Sequence, residues 1–492
     1  MKTCSRCGIK LPDRARFCLE CGQPQDGAPA QTPTQAQLDG SGAIAQQDSV
    51  AVTTGGVGVG GDVGGDVRTG DEIKGDTVVV AKDGATIVFG EAPVAMTAVQ
   101  RESALGRYLQ HVIGHNRYLQ LQGIRSGGKL VHIELDRIYI TLRATRRRPV
   151  QHEEEAWLQA EAAFAPGERG RLREGVAPAT ETVTVSVDEA LAAYPRLVVL
   201  GDPGCGKTTL LRYLALLYAR DLAEGADLVG DKLGLDERGR LPILLPLRKV
   251  GAFLRGQPDD GTQGHGLLLE FLFGTLKGER LTLPGDFFDD YLAEGRAVVL
   301  LDGLDEVADP HLRQRVSRLV EAFTRAYPDC RYVVASRVVG YSGAARLGEE
   351  YATTTVRDFT LADVERFLVN WHRLIAVGQL GPGPGAEAYA AGQTRQLMTA
   401  IRANERIREL SINPLMLTVI ALVHRDRVRL PDRRAELYAE AVDVLLGKWE
   451  EAKGLSETPI LDDKPFDTGD RRLMLQAVAL AMHEGQQKEV AA

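Results

Sequence analysis

The chain has 492 residues, of which 44% are hydrophobic and 26% are charged, and its formal net charge is −8. The length allows two to four domains, and the acidic balance argues against a protein that binds nucleic acid by bulk electrostatics. No apolar run approaches the roughly 18 residues of a membrane span, and no signal-peptide pattern opens the chain, so we expect a cytoplasmic protein without a membrane partner.

Four of the six cysteines form two C-x2-C pairs near the N-terminus, each followed by a glycine. Two such turns can place four thiolates tetrahedrally around Zn²⁺, and a unit this small needs the metal for most of its stability. A redox role is the alternative, although no βαβ pattern surrounds the pairs. This segment, residues 1–24, resembles the bacterial zinc-ribbon family, and its predicted zinc ligands are Cys4, Cys7, Cys18 and Cys21.

The next two segments have a biased composition. Residues 25–49 are rich in Gln, Pro, Ala, Gly and Thr, and we interpret them as a flexible linker. In residues 50–92, short Val/Ile pieces alternate with Gly-Asp pairs. That pattern fits tiny strands stacked in a β-solenoid, and it equally fits a disordered Gly-rich linker.

Residues 98–150 return to periodic patterns. The spacing of Leu105, Leu109 and Val112 predicts a helix, and the apolar runs at 130–135 and 138–142 predict two strands. The arginines at 146–148 are interpreted as a solvated basic turn, and an acidic helix is predicted at 153–161.

The stretch RLVVLGDPGCGKTTL, residues 196–210, carries the strongest chemical signal. A short apolar strand is followed by G-x-x-x-x-G-K-[ST] and then by helical apolar spacing, which is the context that a phosphate-binding P-loop requires. Glycines let backbone N–H groups face phosphate oxygens, the lysine reaches the β- and γ-phosphates, and the hydroxyl binds Mg²⁺. A Gly-rich turn without function is the alternative, which the agreement of strand, loop and helix disfavours. The predicted nucleotide-binding residues are Gly201, Asp202, Pro203, Gly204, Cys205, Gly206, Lys207, Thr208 and Thr209, with Thr208 also a magnesium ligand.

A second apolar strand, residues 298–302, ends in an acid and continues as GLDE. In P-loop proteins such an acid holds Mg²⁺ through its water shell, so Asp302 is the second predicted magnesium ligand. Asp305 and Glu306 would lie just past the strand, where ligands bind in open α/β sheets, and one of them would polarise the attacking water. An acidic turn that only caps the strand is the alternative.

From residue 196 onward, candidate strands alternate with helical patterns. The strands are expected at 197–200, 243–247, 298–302, 332–335 and 354–357. This alternation predicts an α/β fold built on a parallel sheet. After residue 377 strands disappear, and we expect a loop insertion that starts at Gly378, followed by helices at 394–404, 414–424, 433–453 and 471–483.

Taken together, GDPGCGKTT, VVLLDGLDEV and VVASR make the chain resemble the NACHT family of STAND NTPases, the bacterial relatives of NOD-like receptors. The pieces FTLADVERFLVNW, LSINPLML and RVRLPDRRAELYAEAVDVLL resemble the helical and winged-helix parts that follow the core in that family. The resemblance implies a linking α/β segment at 98–180, an NTPase core at 181–358, a helical subdomain at 359–405 and a winged-helix-like subdomain at 406–492.

The resemblance also implies roles for individual residues. Asp302 matches the magnesium-linked acid, and Asp305, with Glu306 beside it, matches the acid that primes water. Arg337 matches the sensor arginine that reads the γ-phosphate, and Pro414 matches the helical-domain proline that packs near the nucleotide base. Asp305, Glu306 and Arg337 are therefore the predicted catalytic residues, and Pro414 is a predicted cofactor contact.

Three functions are compatible with these signals. The favoured one is a magnesium-dependent nucleoside-triphosphatase that binds ATP or ADP, hydrolyses ATP slowly, changes conformation and forms a homo-oligomer on ATP binding. The resemblance implies a role in bacterial antiphage defence or stress signalling, with an unknown trigger. The alternative is an ATP-controlled transcriptional regulator that binds nucleic acid through the zinc ribbon and the winged helix. A scaffold that binds nucleotide without turnover is the third.

Overall fold

A computed structural model describes residues 2–4, 6–12, 15–18, 21, 78–80, 86–88, 98–119, 125–126, 129–130, 133–149, 180–258, 264–426, 435–440, 442, 460–461, 464–465 and 468–485. The strands are β1 (Lys2–Thr3), β2 (Lys10–Leu11), β3 (Val78–Val80), β4 (Thr86–Val88), β5 (Arg125–Ser126), β6 (Lys129–Leu130), β7 (Arg143–Pro149), β8 (Thr180–Ser186), β9 (Arg196–Leu200), β10 (Leu241–Pro246), β11 (Ala297–Asp302), β12 (Arg331–Ser336), β13 (Ala352–Val356), β14 (Ile460–Leu461) and β15 (Lys464–Pro465). The helices are α1 (Ala98–Asn116), α2 (Leu135–Ile138), α3 (Val187–Ala193), α4 (Lys207–Glu224), α5 (Leu228–Leu233), α6 (Leu247–Leu254), α7 (Gly266–Gly278), α8 (Asp289–Ala293), α9 (Pro310–Ala326), α10 (Leu361–Leu380), α11 (Pro384–Ala403), α12 (Glu405–Ser411), α13 (Pro414–Asp426) and α14 (Thr468–Glu484).

The chain divides into two compact units. One consists of Met1–Gln25 and Arg101–Ala492, and the other of Asp26–Gln100. In the second unit, β3 and β4 pair antiparallel, with Val78 opposite Val88. The predicted linker at 25–49 and most of the Gly/Asp-rich segment at 50–92 lie outside the described residues, as does the predicted acidic helix at 153–161.

The first unit is built on a seven-stranded sheet with the order β10-β11-β12-β9-β13-β7-β8. The first five strands are parallel, and β7 and β8 continue the sheet antiparallel. Strand β11, AVVLLD, is buried along five of its six residues, which is typical of a strand covered by helices on both faces. Because β9 lies between β12 and β13, the strand order changes direction at β9, and the carboxyl ends there form the crevice where such sheets bind ligands.

The predicted α/β fold is confirmed, and all five predicted core strands are present within a few residues of their expected bounds. The sheet is mixed rather than purely parallel, because residues 143–149 form β7 instead of the predicted basic turn. Toward this end of the sheet one buried face suffices, and Ala144 is fully buried between Arg143 and Thr145. The run of arginines therefore led to the prediction of a turn where the chain forms a strand.

The predicted strand at 130–135 is found only at its start, where Leu130 ends β6, and at Glu134, which forms an isolated bridge with Tyr118, while residues 131–132 lie outside the described residues. The predicted strand at 138–142 is wrong. Leu135–Ile138 is a short helix, and Ile140 and Leu142 are buried in an extended segment that lies outside any strand. Leu142 instead packs beside Gly206, where an added Cβ would lie 3.5 Å from its side chain. At residues 138–142, the alternating apolar pattern thus reflects burial beside the P-loop and not pairing in a sheet.

The predicted loop from Gly378 is also wrong for most of its length. Gly381 and Gly383 lie in the short break between α10 and α11. Pro384 then takes the first position of α11, where its fixed φ suits a helix start. Ala386 and Ala390, four residues apart, bury one face of this helix. The predicted helix at 394–404 is the second half of α11.

The remaining predicted helices are found where the structure describes the chain. Residues 414–424 and 471–483 fall within α13 and α14. Residues 435–440 of the predicted helix at 433–453 are helical, and most of its remainder lies outside the described residues. The backbone N–H of Phe359 donates to the carbonyl of Ile412 at 2.9 Å, so the start of α10 is tied to the segment that leads into α13.

Candidate functional site

The P-loop runs from the end of β9 to the start of α4. Gly204 and Gly206 have φ values of +78° and +101°, a region that L-residues with a Cβ seldom adopt. Gly206 is the N-cap of α4, so the positive end of the helix dipole faces the loop. Together these features form a backbone cradle suited to phosphate groups.

Three predicted residues form the polar floor of this cradle. The Lys207 ammonium donates to the carbonyls of Gly201 and Asp202 at 2.8 and 3.0 Å. The Thr208 hydroxyl donates to Asp302 Oδ1 at 3.1 Å. Burial raises the pKa of Asp302 to about 6, reinforced by the charges of Glu306 and Asp305 and opposed by Thr208 and Lys207.

The second acidic pair lies on the 3₁₀ turn Leu304–Glu306, directly after β11. Arg337 engages both oxygens of Asp305: its backbone N–H donates to Oδ1 at 2.8 Å, and its Nε pairs with Oδ2 at 3.0 Å. Glu306 is exposed, whereas the Asp305 side chain is only 10% exposed. Gly340 lies so close that an added Cβ would be 2.3 Å from the Asp305 Cβ, so this acid is tightly positioned.

The turn before α13 closes over the P-loop, and it contains a residue that the sequence reasoning missed. Asn413 Nδ2 donates to the Pro203 carbonyl at 3.0 Å, and the backbone N–H of Leu415 donates to the Gly204 carbonyl at 3.2 Å. A Cβ at Gly204 would fall 2.8 Å from Asn413 Oδ1. Asn413 directly precedes the predicted Pro414 in LSINPLML. Asparagine is a preferred N-cap residue, so the sequence could have indicated Asn413 as the cap of the helix that begins at Pro414.

These elements enclose a cleft of about 480 Å³. This volume is within the range of small-molecule sites, which are mainly apolar with a few convergent polar groups. The polar groups come from the P-loop, from the ends of β11 and β12, from Arg212 on α4 and from Thr418 on α13, and most of the remaining wall is apolar. That apolar wall includes Leu119, Leu135, Ile138, Tyr139, Ile140, Leu142, Phe359, Phe367 and Leu415.

Most of the predicted site residues converge on this cleft. It is lined by Pro203, Gly204, Gly206, Lys207, Thr208, Thr209, Asp302, Asp305, Glu306, Arg337 and Pro414. Gly201, Asp202 and Cys205 do not line it: Asp202 is exposed outside, and Cys205 is buried beneath the loop. The donors, the glycine cradle and the carboxylate beside a hydroxyl fit a nucleoside triphosphate with Mg²⁺.

The four N-terminal cysteines form a separate cluster. One sulfur from each of Cys4, Cys7, Cys18 and Cys21 lies within 4.8 Å of the others, and two pairs are 3.5 and 3.4 Å apart. Burial opposes ionisation of Cys4, but the N–H groups of Cys7 and Arg6 outweigh it and lower the pKa of the Cys4 thiol to about 6. This donor set fits a tetrahedral thiolate site.

Comparison with known protein families gives a match for the C-terminal part of the chain. Residues 434–492 match the family described as "Winged helix-turn-helix domain C-terminal to NACHT". This match and the P-loop geometry support a NACHT-type P-loop NTPase. No curated protein matches the chain significantly.

Two solved structures from Thermotoga maritima align with parts of this chain. A point variant of RuvB is 13% identical, with 58% of this chain and 69% of that chain covered and a TM-score of 0.24. Domain III of the replication initiation protein DnaA is 15% identical, with 50% and 89% covered and the same TM-score of 0.24. Among the helices that the structure describes, none has the length and apolar character to cross a membrane.

Proposed function

We propose that the chain is an ATP-dependent switch that hydrolyses ATP slowly. The observation that carries this proposal is the contact between the P-loop and the turn before α13. Because of this contact, the cleft is lined by residues of the sheet domain and by residues of the helical segment. A ligand that touches both can change how the two are held, because its affinity differs between arrangements.

The cradle residues would exchange protein partners for phosphate. Lys207 would leave the two P-loop carbonyls and donate to the β- and γ-phosphates, and Thr208 and Asp302 would hold Mg²⁺. The ion supplies neutralisation of phosphate charge. Asp302 must ionise for this role, and cation binding favours its ionised form.

Arg337 and Asp305 support a device that senses the γ-phosphate. The Arg337 guanidinium pairs with the Asp305 carboxylate at 3.0 Å. A γ-phosphate competes for Arg337, since guanidinium groups bind phosphate strongly. Asp305 is then released to orient water, with the exposed Glu306 beside it. Hydrolysis would restore the Arg337–Asp305 pair.

The wider biological assignment follows from the resemblance to the NACHT family. We expect ATP binding to expose a surface through which copies of the chain form a homo-oligomer, and we expect the response to serve antiphage defence or stress signalling. An upstream trigger would release the resting state.

Nucleotide binding and particle size test the switch together. Wild-type chain should bind ADP and a non-hydrolysable ATP analogue, and mass photometry should show larger particles with the analogue. Lys207→Ala should lose nucleotide binding and assembly, whereas Lys232→Ala, at an exposed lysine on α5, should keep both. Folded wild-type protein that binds no adenine or guanine triphosphate would refute the proposal.

The match to a winged helix-turn-helix family keeps one alternative open, an ATP-controlled regulator that binds nucleic acid. Salt-dependent binding to a random DNA duplex, together with stimulation of ATP hydrolysis by that duplex, would favour this alternative. The switch requires neither effect.

For the N-terminal cluster, we propose that Cys4, Cys7, Cys18 and Cys21 hold one structural Zn²⁺. The sulfur separations support this, since tetrahedral Zn–S bonds of about 2.3 Å place sulfurs a little under 4 Å apart.

A further inference from the structure

A second cluster of metal-ligating groups lies away from the nucleotide cleft and the cysteines. His111 and His115 are one turn apart near the end of α1, and Glu279 follows α7. One ligand atom from each lies within 4.8 Å of the others, and His111 Nε2 is 3.0 Å from Glu279 Oε2. Histidines at i and i+4 present their rings on one helix face, and a carboxylate from another element completes a three-ligand set.

The hydrogen bonding of His115 leaves a lone pair for an ion. Its Nδ1 is 2.9 Å from the His111 backbone carbonyl. A carbonyl only accepts, so Nδ1 carries the proton and donates, and Nε2 of the neutral ring keeps its lone pair. Metal-binding histidines characteristically donate their other ring N–H to a carbonyl or carboxylate in this way.

The backbone at Glu279 is fixed by the C-terminal motif of α7. The N–H of Leu281 donates to the Leu276 carbonyl at 2.8 Å, and that of Arg280 donates to the Lys277 carbonyl at 3.0 Å, which is a Schellman arrangement. Arg280 takes the left-handed position with φ +63°, usually given to glycine. This strained residue holds Glu279 at the helix end, facing α1.

The charges around the cluster indicate which class of ion fits. The C-terminal ends of α1 and α7 both meet there, and their dipoles favour positive charge. The three residues line a shallow cavity, which is also lined by Arg107 and Arg280. Glu279 is the single acid among its lining residues. Coulomb attraction alone would therefore hold Mg²⁺ or Ca²⁺ poorly, whereas an ion that bonds strongly to imidazole nitrogen would be retained.

We propose that His111, His115 and Glu279 bind one transition-metal ion of the zinc class, with water at the open coordination position. Binding at His111 Nε2 would place the single proton of the neutral ring on Nδ1, would replace the His111–Glu279 hydrogen bond by two bonds to the ion, and would link α1 to the end of α7. Arg212 extends this link, because it donates to the His115 carbonyl and to Asn116 Oδ1 and also lines the nucleotide cleft.

Cobalt titration of the full chain tests the site. The protein is first loaded with zinc at the cysteines and kept in excess Mg²⁺, and Co²⁺ binding is then followed by absorption. We expect one further Co²⁺ per chain, without a thiolate charge-transfer band, displaced by Zn²⁺ and not by Ca²⁺. His115→Ala should weaken Co²⁺ binding by at least about tenfold, because losing a ligand costs no less than losing a supporting contact.

Two further variants separate metal binding from simple structural roles. His311→Ala removes an exposed histidine on α9 and should bind Co²⁺ like the wild type. Glu279→Gln keeps a hydrogen-bond partner for His111 but loses the charged ligand, so its Co²⁺ affinity should fall while its melting temperature changes little. The proposal is overturned if the zinc-loaded wild type takes up no additional cobalt, if that cobalt shows thiolate bands, or if His115→Ala or Glu279→Gln binds as tightly as His311→Ala.

Discussion

Lys207 and Thr208 at the start of α4, and Asp302 and Asp305 at the end of β11, already have protein partners. Lys207 is satisfied by P-loop carbonyls, Thr208 by Asp302, and Asp305 by Arg337. A nucleotide therefore exchanges these hydrogen bonds rather than filling unpaired groups. Exchange gives a modest net energy per bond, but contacts to charged groups contribute more, about 1.5–3 kcal/mol each. Affinity should thus be concentrated in the phosphate contacts of Lys207 and Arg337.

Replacing Arg337 tests whether it reads the γ-phosphate. Arg337→Ala should reduce the preference for the ATP analogue over ADP by about tenfold or more, which is the value of one charge-assisted contact. ADP affinity should change little, because the lost partner faces the γ-position alone. Calorimetric titration of both nucleotides gives the ratio. Arg346→Ala, at another exposed arginine, serves as the control. Equal losses for ADP and the analogue would show that Arg337 is not a sensor.

Asn413 offers a test of the contact between the P-loop and α13. It accepts from the N–H groups of Leu415 and Met416, as a helix cap, while its amide also donates to the Pro203 carbonyl. Asn404 caps α12 in the same manner through Arg406 and Ile407. Asn413→Ala and Asn404→Ala should each lower the free energy of unfolding by about 1 kcal/mol.

The two asparagine variants should differ in nucleotide binding. Thermal unfolding with and without ADP measures both effects in one experiment, because a bound ligand raises the melting temperature by an amount that grows with its affinity. We expect the ADP-induced rise to shrink in Asn413→Ala and to stay at the wild-type size in Asn404→Ala. Identical rises in the two variants would mean that the turn before α13 does not support the nucleotide site.

Elements with local signals could be predicted from the sequence, and elements defined by distant contacts could not. The P-loop and β11 follow from apolar runs next to Gly and Asp, and both were placed correctly. Strand β7 is missed because its pairing partners β13 and β8 lie far along the chain, and because its run of arginines lacks the apolar alternation that predicts a strand. Asn413 was missed for the same reason, since the loop that it contacts is 210 residues away in sequence.

The helices after the sheet contain a buried histidine that makes stability depend on pH. His372 Nδ1 is 3.0 Å from the Thr394 hydroxyl, which itself donates to the Leu368 carbonyl, so Nδ1 carries the proton and donates. Nε2 is buried without a partner. Burial, and then the neighbouring His424, lower the pKa of His372 from 6.5 to about 4. The folded state therefore resists taking up a proton that the unfolded chain accepts.

The sign of this effect is fixed by linkage. The contribution of neutral His372 is fully present above pH 6.5 and is lost as the pH falls from 6.5 toward 4, by up to about 3 kcal/mol. Asp188 and Asp302, whose pKa values are raised to about 6, change stability in the opposite direction in every variant. The comparison between variants is therefore more informative than the wild-type profile.

His372→Asn isolates the histidine. Asparagine can still donate to Thr394 but does not titrate, so this variant should lose less stability than the wild type between pH 6.5 and pH 4. Urea unfolding at a series of pH values gives the two slopes. His311→Asn should follow the wild-type profile, because His311 is exposed. Parallel profiles for His372→Asn and the wild type would place the pH dependence elsewhere.

At the scale of the molecule, helix α4 connects the nucleotide cleft with the cysteine cluster. Its first residue is Lys207, and near its other end the Ala223 carbonyl accepts from the N–H groups of Arg16 and Phe17 at 2.8 and 3.2 Å. Phe17, 1% exposed, belongs to the main hydrophobic core. An 18-residue helix spans about 27 Å, so the two sites are well separated yet share one rigid element.

Removing the proposed zinc should therefore lower stability without emptying the nucleotide cleft. Without metal the cysteine segment has little core of its own, and Phe17 loses the fold that holds it against α4. Truncating such an aromatic anchor costs about 3–5 kcal/mol, so a fall of several degrees in melting temperature is expected for zinc-free protein. ADP binding should persist, because the cradle lies at the opposite end of the helix.

Metal analysis and thermal unfolding of two cysteine variants decide this prediction. Wild-type protein and Cys330→Ser, which changes a buried cysteine outside the cluster, should each retain one tightly bound zinc more than Cys18→Ser does. Cys18→Ser should lose it and should melt at the temperature of chelator-treated wild type, with no further effect of the chelator. If Cys18→Ser kept its zinc, or if removing the metal left the melting temperature unchanged, the four cysteines would not be a structural zinc site that supports the core.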